Sequence, residues 1–243
     1  MTRAQLLLVE DDALISRFFS LALEDLPVDV VVAVTLAQAR QALAGRRFDL
    51  LITDLMLPDG NGLELLAELH AAPTLQPGLR AIVCSAGISG LVRQQAQALG
   101  AWRLLEKPVS LAALGACIAQ ALEAAAVPAV EPPPPQAEPA AVREAAVDAH
   151  FGGQAALYDA FRAASVRQFA ADVVDGDAAC RAGDTAALRR HAHNLKTVLL
   201  LLGADAASAQ ACALEAAAAD PAADSAALQA LWQTLRTAVL ALG

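Results

Sequence analysis

This 243-residue sequence predicts an α/β doubly wound five-stranded parallel sheet followed by an all-α four-helix-bundle domain. Three observations predict it. The first half alternates short apolar runs with longer helix-like segments, the texture of a parallel sheet covered by helices on both faces. The second half has no strand-like runs and reads as helix throughout. Between them, VPAVEPPPPQAEP (127–139) holds six prolines in 13 residues, which neither a helix nor a central strand tolerates.

The strands are expected at Leu6–Val9, Val28–Val34, Leu50–Thr53, Ala81–Cys84 and Arg103–Leu105. The helix that closes this half starts near Ser110, a good N-cap, and runs into the prolines. Downstream, helices are expected at 141–149, 154–181, 185–202, 205–219 and 223–241, punctuated by Gly152–Gly153, Gly183–Asp184, Gly203 and Asp220–Pro221. Four long helices joined by short loops argue for an antiparallel bundle. The organisation that follows is a first domain over 1–124, a Pro-rich linker over 125–140 and a helical domain over 141–243. In polyproline II form the 13 residues 127–139 span roughly 40 Å.

Composition narrows the function. Alanine supplies about a quarter of the residues and favours helix while offering little side chain to bury. No apolar run reaches the roughly 18 to 20 residues of a membrane span, and the first one ends at once in Glu10, Asp11 and Asp12, so neither a membrane anchor nor a signal peptide is expected. Cys84, Cys117, Cys180 and Cys212 lie far apart without a CxxC pair, as core thiols of a reducing cytoplasm do. The net charge of −9, with no basic stripe, argues against nucleic acid and against a transcription factor.

In a parallel α/β sheet, ligands gather at the carboxyl ends of the strands. Here those ends carry Glu10, Asp11 and Asp12 after the first strand and Asp54 after the third. Ser85 follows the fourth, and Lys107–Pro108 the fifth. A lone Asp at a strand end is usually a helix cap, and a lone Lys–Pro a turn; their conjunction on successive strand ends is what carries meaning. Several carboxylates at one edge repel each other and call for a cation, and hard oxygen donors suit Mg²⁺. The lysine and the serine hydroxyl are suited to gripping a tetrahedral oxyanion.

LLLVEDD, LLITDLMLPDGNGLELL, VCSA and LLEKPVS together resemble the response-regulator receiver family over residues 1 to about 124, which implies a flavodoxin-like fold. The resemblance implies that Asp54 accepts a phosphoryl group as an acyl phosphate. It implies that Glu10, Asp11, Asp54 and the backbone carbonyl of Met56 hold Mg²⁺. It makes Ser85 a switch hydroxyl and Lys107 the phosphate-binding amine, with a cis bond before Pro108. The chemistry is in-line displacement, with metal and lysine stabilising charge on the moving group. One position departs from the family: Leu104 stands where many receivers carry an aromatic switch residue, and Trp102 does not replace it.

The second half raises a question of its own in RRHAHNLKTVLLLLGA (189–204). Leu188, Ala192, Leu195, Leu199 and Leu202 recur as one apolar helical stripe. His191 falls within about 70° of its centre and His193 about 130° away, on the expected solvent side. Two residues apart they diverge by about 200° and cannot share a metal. Arg189 and Lys196 flank His193 at one turn on either side, so an exposed, neutral imidazole between two cations is expected, suited to receiving an anion. Leu200, also on that side, is expected in a docking patch.

AHNLKTVLLLLGA, with ACALE downstream (211–215), resembles the signature of histidine-phosphotransfer domains: leucine two after the histidine, lysine three after, glycine (Gly203) ten after. The resemblance covers about residues 141 to 240 and implies that His193, assisted by Lys196, carries a phosphoryl group. Thr197 stands where many members have glycine and is expected to narrow partner choice.

Together these features predict a two-component phosphorelay protein of the cytoplasm. Its expected partners are a sensor or hybrid histidine kinase and a downstream receiver, with neither nucleic acid nor membrane. The sequence contains no P-loop, so it is expected to carry phosphoryl groups and not to take them from ATP. The rival expectation is a receiver that regulates the bundle as a scaffold or dimerisation module.

Overall fold

Burial on both faces shapes the sheet. The computed structural model describes residues 3–24, 26–122 and 139–242, apart from the side chains of 139–141. The linker expected over 125–140 lies outside these residues, except for 139 and 140. The chain divides into two compact units, Met1–Pro134 and Pro135–Gly243.

In the first unit the elements run β1 (Ala4–Val9), α1 (Ala13–Ala22), β2 (Val28–Ala33), α2 (Leu36–Gly45), β3 (Leu50–Thr53), β4 (Met56–Leu57), β5 (Gly60–Asn61), α3 (Gly62–Ala71), β6 (Arg80–Ser85), α4 (Gly90–Ala98), β7 (Arg103–Glu106) and α5 (Leu111–Leu122). β2-β1-β3-β6-β7 form one sheet, each neighbouring pair parallel. The five expected strands are all present. All four residues of β3 are buried, as are Leu6 to Val9 of β1; apolar side chains on both faces specify an interior parallel strand. One face packs Leu7, Val9, Leu51 and Val83 against Leu36 and Ala39 of α2, Leu65 and Leu66 of α3 and Ala96 of α4. Fully burying each such leucine contributes roughly 1.5–3 kcal/mol. The Lys107–Pro108 bond is cis.

The second unit contains α6 (Pro139–Phe151), α7 (Ala155–Ala182), α8 (Thr185–Leu201), α9 (Asp205–Ala218) and α10 (Ser225–Leu240). α8 packs on α7 and α9, and α10 on the same two, closing a ring of four; α6 lies on α7. On α7 the buried stripe is Tyr158, Phe161, Ser165, Phe169, Val173 and Gly176, the i, i+3/i+4 spacing of a core-facing helix. Gly176 gives room to Trp232, which is fully buried and donates its Nε1–H to Asp177 Oδ1 at 2.7 Å. α7 stops at Gly183, in the left-handed region at φ 65°. The next turn comes at Gly203, also left-handed, where a Cβ would meet Val142 Cγ1 of α6 at 2.8 Å.

Candidate functional site

The strand order reverses direction between β1 and β3, and the crevice beyond their carboxyl ends is where such sheets bind ligands. The ladder continues past the strands: Glu10 N donates to Ala33 O at 3.0 Å and Asp54 N to Val9 O at 2.9 Å. Glu10 and Asp54 are thereby held side by side, 2% and 1% exposed. Lys107, arriving from β7, bridges them, its Nζ at 2.5 Å from Glu10 Oε2 and 2.6 Å from Asp54 Oδ2. Asp54 Oδ1 accepts from Leu55 N at 2.5 Å and Met56 N at 3.3 Å. Ser85 ends β6, buried, its carbonyl accepting from Lys107 N at 3.0 Å. Gly62 packs against the acceptor's own backbone: a Cβ there would stand 2.0 Å from Asp54 O.

The electrostatics follow from burial. Desolvation pushes Glu10 up to about 8; Lys107 opposes this, and the Asp54 and Asp12 carboxylates add to it. Burial alone would lower Lys107, but the Asp54 and Glu10 carboxylates outweigh it and raise its pKa. Asp12 has a separate task as N-cap of α1, accepting from Leu14 N and Ile15 N.

The donor chemistry of Glu10, Asp11, Asp54 and the Met56 carbonyl is all hard oxygen and fits Mg²⁺. A single ammonium shared by two buried carboxylates leaves the pocket acidic, which fits a cation as well. Among the described residues no three His, Cys, Asp or Glu side chains are grouped closely enough to hold a metal ion by themselves, and Mg²⁺ commonly completes its shell with carbonyls and waters. The Lys107 ammonium stands between Glu10 and Asp54 and takes an oxygen of each.

In the second unit the histidines part ways. His191, half-buried, donates from Nε2 to the Asp172 carbonyl at 2.6 Å, and its ring lies 5.6 Å from that of Trp232. His193 departs from the expectation of an exposed imidazole between cations: it is 2% exposed and meets a carboxylate. Its Nδ1 is 2.6 Å from Glu215 Oε1, whose Oε2 accepts from Lys196 Nζ at 2.5 Å. The periodicity of α8 alone gives angles but not neighbours, and the side away from its stripe faces α9, which carries Glu215. Burial pushes the Glu215 carboxyl up, but hydrogen bonds from His193 and Lys196 win and hold it below its ordinary value. Thr197 is buried and Leu200 half-buried.

The response regulator receiver domain family matches residues 6–119. The N-terminal unit is a response regulator receiver domain. The response regulator protein PilR of Pseudomonas aeruginosa is 34% identical to this chain over 122 residues, 50% of this chain and 27% of PilR. The DNA-binding transcriptional regulator NtrC of Azospirillum brasilense is 32% identical over 132 residues, 54% and 27%. The chain thus spans about a quarter of the length of these curated relatives. Among solved structures, the signal receiver domain of a putative Luxo repressor protein from Vibrio parahaemolyticus is 28% identical, with a TM-score of 0.47, covering 49% of this chain and 90% of its own. A response regulator from Burkholderia pseudomallei with a phosphorylated aspartic acid, calcium ion and citrate is 26% identical, with a TM-score of 0.44, covering 50% and 67%.

Of the residues singled out from sequence, Glu10, Asp54 and Lys107 meet in the receiver domain, with Ser85 on the neighbouring strand end. The bundle lies outside the matched residues; in it His193 and Lys196 meet through Glu215. Glu215 went unforeseen as a partner. Its signal was present in ACALE, but only the packing of α9 on α8 turns that motif into a contact.

Proposed function

We propose that this chain is a phosphorelay protein of two-component signalling, carrying phosphoryl groups on Asp54 and His193. It passes them between a sensor or hybrid histidine kinase and a downstream receiver, in the cytoplasm, and does not take phosphate from ATP itself. The observation that carries the reading is the Lys107 bridge to Glu10 and Asp54 at the switch point of a receiver domain.

In this reading the Asp54 carboxylate attacks phosphorus in line, the donor's bond to phosphorus breaks, and an acyl phosphate forms. The Leu55 and Met56 amides hold the carboxylate in place. Lys107 follows the negative charge onto the phosphoryl oxygens, and the Ser85 hydroxyl donates to one of them. Glu10, Asp11, Asp54 and the Met56 carbonyl would hold Mg²⁺, whose contribution is to neutralise charge on the transferring group.

At the second carrier the ionised Glu215 accepts from His193 Nδ1–H. The neutral ring then has its lone pair on Nε2, the nitrogen that would take the phosphoryl group. Lys196 offsets the carboxylate and pairs with the incoming oxygens.

Purified protein incubated with Mg²⁺ and acetyl phosphate, beside Asp54→Ala and His193→Gln variants, tests the scheme. Acyl phosphate is base-labile and phosphohistidine acid-labile. Label on His193 that disappears in Asp54→Ala would establish transfer within the protein. Label confined to Asp54 would remove the internal relay. No label in folded protein would overturn the acceptor assignment.

The burial of His193 favours a second reading, in which the receiver regulates a bundle that acts as scaffold or dimerisation module. Normal relay by His193→Gln, with dimerisation lost on deleting the bundle, would select it.

A further inference from the structure

The tip of the β4–β5 ladder, Pro58–Asp59, lies outside the carboxylate cluster. Asp59 is exposed, yet its carboxylate serves another element: Oδ1 accepts from Leu36 N at 2.7 Å and Oδ2 from Ala37 N at 2.9 Å, both in the first turn of α2. That helix already has its own cap, because Thr35 Oγ1 accepts from Gln38 N at 3.1 Å. A second contact joins the same two elements. A Cβ on Gly60 would stand 2.7 Å from Leu36 Cδ1, and Leu36 is fully buried. The ladder tip is thus held to α2 by a bidentate polar grip and by close apolar contact.

What the grip holds is the strap beside the acceptor. Leu55 and Met56 donate their amides to Asp54 Oδ1, Met56 pairs with Asn61, and Leu57 pairs with Gly60. At its base the strap is tied by Gly62 N donating to Leu55 O at 3.1 Å. Its tip is tied to α2 by Asp59.

We propose that Asp59 is a positioning residue for the acidic site: by clamping the β4–β5 tip to the first turn of α2, it fixes the Met56 carbonyl and the amides on Asp54 in the arrangement that takes up Mg²⁺. This rests on the receiver-site reading above. The helix cap is a means here, not the purpose, since Thr35 already caps α2.

Calorimetric titration of the full-length chain with Mg²⁺ alone tests the clamp, using Asp59→Ala, Asp59→Asn and Thr35→Ala, each also melted. Asp59→Ala is expected to weaken Mg²⁺ binding about tenfold, the low end for partners that orient metal ligands. Asp59→Asn, which keeps one acceptor, falls between it and the parent chain. The loss persists at high salt, where an exposed charge is screened. Thr35→Ala lowers the melting temperature and leaves Mg²⁺ affinity unchanged. The clamp is overturned if Asp59→Ala binds Mg²⁺ like the parent. It is overturned too if Thr35→Ala weakens binding as much, which assigns the effect to helix integrity, or if the loss vanishes at high salt, which assigns it to charge. Should Asp59→Ala fail to fold, Asp59→Asn at high salt decides. A parent chain that takes up no Mg²⁺ would sink the receiver-site reading and the clamp together; normal uptake with an indifferent Asp59 sinks the clamp alone.

Discussion

At the scale of single residues, Glu215 joins His193 and Lys196 through its two oxygens. Replacing it by alanine removes the carboxylate that orients the imidazole through Nδ1. Phosphoryl acceptance at His193 is expected to fall by about 10² or more, the usual worth of a positioned proton partner, and Glu215→Gln to recover part of it; the acid-labile label measures both. The folded carboxyl is depressed, so its stabilisation is present above its ordinary value of 4.5 and lost as pH falls through the folded value. Asp172 runs the other way. Burial pushes it up to about 6 from 3.8, so its contribution is complete below 3.8 and is lost as pH rises through about 6. Asp172→Asn is therefore expected to raise stability near neutral pH by about 1–2 kcal/mol, with allowance for partial exposure, and to leave it unchanged well below pH 4. Urea denaturation at the two pH values checks this.

At the scale of elements, Gly176 shows how α7 and α10 are matched. A Cβ there would stand 2.1 Å from the Trp232 ring. Alanine in place of a mid-helix glycine gains about 0.5–1 kcal/mol from helix propensity, but overpacking a filled core costs about 1–3 kcal/mol. Gly176→Ala is expected to lower the bundle's melting temperature, as helical circular dichroism would record. The helices themselves were legible. Gly183 and Gly203 mark ends because a positive φ favours glycine there, and Asp184 announces the start of α8 as its N-cap; α10 starts at Ser225, capped by Asp224, two residues after the expected start at 223. The five sheet strands were legible as short apolar runs, although only the inner strands β1, β3 and β6 are largely buried while the edge strands β2 and β7 are partly exposed. β4 and β5, two residues each, were not, because two residues carry no periodicity. Nor was the setting of His193: a helical wheel fixes an angle about one axis, and the neighbour on that side comes from α9, some twenty residues on. The acidic site was readable for the converse reason, since strand ends in a parallel sheet converge whatever lies between them.

At the scale of the whole molecule, the chain divides into two compact units, each with its own buried apolar residues. Fragments 1–134 and 135–243, made separately, are expected to fold, the first with mixed α/β circular dichroism and the second almost wholly helical. A fragment that stayed unfolded alone would mean that its core is completed by the other unit. Among the described residues no helix is long and apolar enough to cross a membrane. The Lys107 bridge also bears on how the first unit comes into being. The ammonium lies 97 residues after Glu10 and 53 after Asp54. As the polypeptide leaves the ribosome, both carboxylates emerge well before their counter-ion. Burying an uncompensated carboxylate costs several kcal/mol, so until β7 has been made the β1–β3 half of the sheet can bury these two groups only in protonated form. A nascent chain stalled before residue 107 is therefore expected to be cut faster by proteases at neutral pH than one stalled well beyond it, a difference that shrinks in mild acid, as limited proteolysis of the stalled chains would record.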